Sequence, residues 1–279
     1  MSARLTQMLQ RAKAEGRAAF VPYLMLGDPN PEATLIFAEA LVRSGADMLE
    51  LGLPFSDPPA DGPVLQRAAE RALAAGMSTR RALTLLAELR RRCDVPLSLL
   101  CYANPVERYG IAKFYTEMAE AGVDAVLIAD VPIEEAEPYA AAAKSAGVAP
   151  ILLASALSDQ ARLQRIGAVG GGYVYATARV GITGEQRNVS ADLQATVQRI
   201  AKETGLPVVV GFGLSTPAHV AAVAQTGAAG VIVGSALALR LEAALARAPG
   251  EWLQAAAEIE QLAGACRAAC AFSDRSSLC

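Results

Sequence analysis

Two carboxylates stand where the 279-residue sequence could do chemistry. Glu50 interrupts the apolar run Met48-Leu-Glu-Leu51, where an unpaired charge is costly to bury, so it needs either a bonded neighbour or a function. Asp61 follows in a loop punctuated by Pro and Gly, where an Asp can be a turn former, a helix cap or a second acid–base group. The other reactive residue types are poorly placed. The single histidine, His219, falls at the start of a helical segment and reads as a surface residue, which argues against Ser-His-Asp, Cys-His and His-rich metal arrangements. Lys13, Lys113, Lys144 and Lys202 all lie in helical segments, which disfavours a Schiff-base aldolase or a pyridoxal-phosphate lysine. The 5 cysteines are odd in number and have no Cys-x-x-Cys spacing, so neither a disulfide framework nor a structural zinc site is indicated. Carboxylates, tyrosines and backbone dipoles remain, a set suited to proton transfer on a phosphorylated substrate.

The elements that must position these groups are legible as eight short aliphatic runs, at residues 20–26, 48–51, 97–101, 125–129, 150–153, 173–175, 207–210 and 230–233. Most lack polar alternation, as expected of parallel strands covered on both faces, and Ala/Leu/Glu/Arg-rich helical segments separate them. A helix end, a small residue, a Gly and then a strand recur at Gly45, Gly122, Gly147, Gly205 and Gly227, the pattern of a left-handed helix stop before the chain reverses. Eight such units predict an α/β fold, a single (β/α)₈ TIM barrel over residues 1–279. An extra N-terminal helix is expected over residues 2–14, and residues 65–92 have room for two helices.

In this architecture the active site is built at the C-terminal ends of the strands. Gly211-Phe212-Gly213 and Gly234-Ser235 follow the seventh and eighth runs, where backbone amides and a helix N-terminus can hold a phosphate. One such turn alone would be only a tight turn; two in adjacent loops point to an anion site. Gly184 can add a third donor from the long loop at residues 177–184, a candidate lid.

Composition narrows the class further. With 53% hydrophobic residues, 19% charged residues and a net charge of −3, the chain reads as a soluble globular protein. Arg90-Arg91-Arg92 suits a helix C-terminus better than a nucleic-acid patch, and nucleic acid is not an expected partner. No apolar run approaches the ~18 residues of a membrane span, and residues 1–9 lack a secretory apolar stretch, so a cytoplasmic location is expected.

The stretch Leu49-Glu-Leu-Gly-Leu-Pro-Phe-Ser-Asp-Pro-Pro-Ala-Asp-Gly-Pro-Val-Leu-Gln66 closely resembles the signature of the tryptophan synthase alpha subunit family. Further matches run from Ala19 to Pro29, Tyr102 to Pro105, Leu127 to Pro132, Tyr173 to Gly184, Gly211 to Ser215 and Gly234 to Ala236. The resemblance implies cofactor-free retro-aldol cleavage of indole-3-glycerol phosphate to indole and glyceraldehyde 3-phosphate, within tryptophan biosynthesis. By the same resemblance Glu50 is the principal acid–base group and Asp61 holds the indole N–H, with Tyr175 and Thr183 in support. Tyr23, Leu65, Leu100, Leu127, Leu153 and Phe212 would line the indole slot, although residue type alone suits each of these equally to a barrel interior. Gly184, Gly213, Gly234 and Ser235 would hold the phosphate, and Asp57, Asn104 and Pro132 would meet a beta subunit in an alpha2beta2-type complex. Two loops depart from the family pattern: Ala154-Ser-Ala-Leu157, where relatives commonly carry Pro-Thr, and Ala176-Thr-Ala-Arg-Val180, where they usually show Leu/Val-Ser. A free-standing indole-releasing lyase of the same family, a barrel that only binds and activates a partner, and another phosphate-binding barrel such as a sugar-phosphate isomerase or epimerase are the alternatives. The last does not account for Pro54-Phe-Ser-Asp-Pro58.

Overall fold

A computed structural model describes residues 2–177, 186–211 and 213–272; Thr183, Gly184 and Phe212, and with them most of the candidate lid, lie outside the described residues. The strands are β1 (Ala19–Met25), β2 (Leu49–Gly52), β3 (Leu97–Cys101), β4 (Ala125–Ile128), β5 (Ala149–Ser155), β6 (Val174–Thr177), β7 (Val208–Gly211) and β8 (Gly230–Val233). They pair in sequence order, all parallel, and β8 closes on β1. Each of the eight apolar runs is a strand; β3 and β8 keep the expected bounds and the other six have an end displaced by a residue or two, because burial on both faces selects the apolar interior of a run but not its last residue.

The helices among the described residues are α1 (Ala3–Ala14), α2 (Pro31–Arg43), α3 (Pro63–Ala74), α4 (Thr79–Arg92), α5 (Ala103–Tyr109), α6 (Ile111–Glu120), α7 (Glu137–Ser145), α8 (Gln160–Val169), α9 (Gln186–Thr204), α10 (Pro217–Ala224), α11 (Ser235–Arg247) and α12 (Trp252–Ala268). Residues 65–92 do hold two helices, parted at Gly76, whose φ of 80° is a left-handed stop; Ser78 caps the second by accepting from the Arg81 amide. All four lysines lie in helices and the arginine triplet forms the last turn of α4.

Helix α1 closes the N-terminal end of the barrel. Leu5, Met8 and Ala12 are buried in one cluster with Ala19, Met48, Ala125 and Ala149, residues at or beside the beginnings of strands. Polar contacts fix the helix at both ends. Arg4 Nη1 donates to Asp124 at 2.8 Å and Arg11 Nη2 to Asp47 at 3.1 Å. Each aspartate also accepts a buried backbone amide, from Leu97 and Phe20 respectively. With the floor sealed by a helix, access to the interior is left to the C-terminal end.

Candidate active site

Strand β2 carries Glu50 into the barrel, opposite Tyr23 of β1 and Ser98 of β3 in register, with only 1% of its surface exposed. Two residues on, Gly52 faces the same way. A Cβ there would stand 1.9 Å from the Tyr23 hydroxyl, so only glycine lets the phenol reach across. The arrangement repeats on the other side of the barrel, where a Cβ on Gly211 would meet the Tyr175 hydroxyl at 2.2 Å. Deeper in, Ser98 Oγ and the Tyr173 hydroxyl share a buried hydrogen bond of 3.1 Å.

Glu50, Tyr23 and Tyr175 border a cavity of about 420 Å³. Of the expected site residues, Tyr23, Glu50, Asp61, Leu65, Leu100, Tyr175, Gly213, Gly234 and Ser235 line it together. The loop residues Ala60, Gly62, Pro63 and Val64, with Leu214 and Ile232, line it as well, which residue-by-residue transfer did not anticipate. Leu127 and Leu153 were expected in the indole slot but are not among the lining residues; both pack in the interior cluster, Leu127 fully buried and Leu153 half-buried. After β8, which pairs with β1 on the side away from β2, Ser235 starts the 13-residue α11, so a helix N-terminus with its free first-turn amides borders the cavity beside Gly213 and Gly234.

Burial pushes the Glu50 carboxyl up to about 8, and the nearby Asp61 charge adds to the shift. Its Oε1 has no hydrogen-bond partner among the described residues. Burial also raises Asp61, opposed by the Tyr102 phenol, which favours the carboxylate. Tyr102 is 1% exposed, stacks on Phe55 at 5.7 Å between centroids, and has no hydroxyl hydrogen bond of regular geometry among the described residues. Its sequence signals were its place directly after the third strand and the family match from Tyr102 to Pro105. Burial, reinforced by both acids, holds the Tyr23 and Tyr175 phenols well above their ordinary range, so both stay neutral donors.

A charged clamp frames this end. Arg71 of α3 donates to Asp28 at 2.7 and 2.8 Å and to Glu242 of α11 at 2.9 Å, and Arg67 adds two bonds to Glu242. Thus the helix that follows Asp61 is tied to the helix that begins at Ser235. The partners lie far apart in sequence, and no local pattern signalled them. Asp57, Asn104 and Pro132 are exposed at the same end, after β2, β3 and β4, and the last two loops are joined by the Ala103 amide donating to Asp130 at 2.8 Å.

The tryptophan synthase alpha chain family model matches residues 9–268. The chain belongs to that family. A tryptophan synthase alpha chain of Edwardsiella ictaluri is 47% identical over 261 residues, covering 93% of this chain and 96% of its own. One from Shewanella oneidensis is 46% identical over 242 residues, 86% of this chain and 87% of its own. Among solved structures, the Legionella pneumophila tryptophan synthase alpha chain superposes with a TM-score of 0.85 at 36% identity, covering 96% of this chain and 97% of that one. A chain of Mycobacterium tuberculosis tryptophan synthase, in an aminoacrylate- and BRD0059-bound form, gives 0.84 at 31% identity, covering 98% and 100%. As a tryptophan synthase alpha chain family member the protein is a lyase of tryptophan biosynthesis, and the family decides against a sugar-phosphate isomerase or epimerase.

Proposed function

We propose that the protein cleaves indole-3-glycerol phosphate to indole and glyceraldehyde 3-phosphate, with Glu50 as its proton-transfer group and no cofactor. The observation that carries this reading is a wholly buried carboxyl, pushed up to about 8, sharing one cavity with Asp61 and with the N-terminus of α11. A carboxyl in that state is protonated at neutral pH and can act first as an acid. Glu50 gives its proton to the ring carbon that bears the glycerol chain, and the cation that forms is shared with the ring N–H, held by Asp61. The Glu50 carboxylate then takes the proton of the hydroxyl on the first chain carbon. That oxygen becomes a carbonyl, the carbon–carbon bond breaks, and its electron pair returns to the ring. Indole and the aldehyde leave with Glu50 protonated as at the start. The protonated ring is the electron sink, which is why no lysine or metal is called on.

At the far wall the phosphate is held by the amides around Gly213, Gly234 and Ser235, with the α11 dipole favouring its charge. Tyr175 supports Glu50, and its hydroxyl fits over Gly211 beside the cavity. Thr183 supports Asp61, Gly184 adds a phosphate donor and Phe212 a wall of the indole slot, by resemblance alone, since all three lie outside the described residues. Residues 1–279 act as one domain, a reading supported by a hydrophobic cluster that runs from Ala18 to Cys270 and by the bridge between Arg17 and Ala271. The physiological form is an alpha subunit docked to a beta subunit through the rim of Asp57, Asn104 and Pro132. A cytoplasmic home agrees with Cys93, Cys101, Cys266 and Cys270 all being unpaired, and among the described residues no helix is long and apolar enough to cross a membrane.

Replacing Glu50 by Gln keeps the shape and removes the transferable proton. Indole release from indole-3-glycerol phosphate should fall about 10²- to 10⁴-fold, with the circular dichroism spectrum unchanged. A variant that kept the wild-type rate would show that the barrel does its chemistry elsewhere.

A further inference from the structure

The Tyr23 side chain lies along the cavity as a rail. At one end its Cβ would stand 3.4 Å from a Cβ built on Gly234, in the phosphate-binding wall; at the other its hydroxyl occupies the space that a side chain on Gly52 would take, on the strand that carries Glu50. The ring therefore spans the route that joins the phosphate wall to the acids, and a three-carbon chain bearing a phosphate has to cover the same route. The hydroxyl is a donor with little to do. It is enclosed in a residue only 3% exposed, and its hydrogen-bond contact among the described residues is a weak one to the Met25 thioether at 3.8 Å. Buried phenols ordinarily find a stronger acceptor. Glu50 Oε1 is likewise unpartnered among the described residues, so an under-used donor and an unpartnered acceptor sit on two residues that line the same cavity from paired positions of neighbouring strands.

We propose that the Tyr23 hydroxyl donates a hydrogen bond to the oxygen on the first carbon of the substrate's glycerol chain, making Tyr23 a specificity-determining contact for the hydroxylated chain. This rests on the cleavage reaction proposed above. The oxygen can accept from Tyr23 while its own proton passes to Glu50, and the same bond then orients the carbonyl that forms. The ring presents its face to the chain, and the hydroxyl reads the oxygen.

Tyr23→Phe removes one atom and leaves the ring in place. For indole-3-glycerol phosphate, kcat/KM should fall about five- to tenfold, the worth of one neutral hydrogen bond. The inhibition constant of indole-3-propanol phosphate, the same skeleton without chain hydroxyls, should not change. Two results overturn the assignment: an unchanged kcat/KM, or an inhibition constant that rises in step with the loss, which would mean that the hydroxyl serves the ring, the phosphate or the fold. Failure of the cleavage reading is separable, because it appears as a wild-type chain that releases no indole.

Discussion

Glu50 is kept in its acid form by burial, so at neutral pH the folded protein holds a proton that the unfolded chain has released. The consequence for stability has a definite sign. Between the ordinary value of 4.5 and the folded value of about 8 the native state binds more protons at this group, so its contribution lowers stability as pH rises through that window and levels off above it. Glu50→Gln has no such group. Its stability relative to wild type should therefore climb from about pH 4.5 to pH 8, by at most ~1.4 kcal/mol per pH unit. Urea unfolding of both proteins at pH 5, 6.5 and 8 measures the gap; a gap independent of pH would mean that the carboxyl is not held protonated. On the proposed reaction, stability surrendered at one buried acid is the counterpart of having a proton ready for the ring. At Gly52 and Gly211 the same trade is made in volume, since each gives up a side chain so that a phenol can enter the site.

Among the elements, the contacts that matter most for the site are those that hold a helix against the barrel. On the floor Asp47, 2% exposed, receives Arg17 at 2.6 and 2.9 Å, Arg11 at 3.1 Å and the Phe20 amide at 2.8 Å. Burial alone would raise its pKa; the Arg17 bonds and the amide outweigh burial and leave it below the ordinary range. Asp47→Ala leaves Arg17, itself only 6% exposed, with Glu15 as its remaining carboxylate and the Phe20 amide without its acceptor, and should cost about 1.5–3 kcal/mol in urea unfolding, whereas Glu260→Ala, which breaks only the exposed pair with Arg43, should cost less than about 1 kcal/mol. Equal losses at the two positions would mean that the floor is not held by Asp47. At the mouth the Arg71 clamp works between elements in the same way, joining Asp28 after β1 to α3 and α11. The helix that follows Asp61 is thereby held to the helix that begins at Ser235 by an ion-pair network.

For the whole molecule the decisive fact is polarity of construction: α1 seals one end of the barrel, and the cavity, Asp57, Asn104 and Pro132 gather at the other. A partner that takes indole would have to approach that rim. Mixing the chain with a candidate beta subunit should raise indole-3-glycerol phosphate cleavage at least about tenfold, the effect of a coupling free energy near 1.4 kcal/mol. The doubly substituted Asp57→Ala, Asn104→Ala chain should need more beta subunit to reach the same stimulation while keeping its own basal rate. Full activity of the chain alone, with no response to the partner, would favour the free-standing lyase.

How much of this could be read beforehand depends on the range over which each feature is determined. The eight strands, the glycine stops and the helix ends rest on runs of a few residues, where burial on both faces and left-handed backbone leave a local mark, and the sequence by itself determined them. The 49–66 signature likewise points to Glu50 and Asp61. Other features exist only once the barrel has closed. Leu127 and Leu153 look like slot residues as readily as Leu100 does, and all three come together with Tyr175 in one interior cluster only through packing among strands distant in sequence. Tyr102 beside Asp61, Tyr23 over Gly52 and the Arg71 clamp each join residues from separate strands or helices. Even the charge state of Glu50 belongs to the tertiary structure, because a carboxyl loses its ionisation through the water it is denied, and only the closed fold takes that water away.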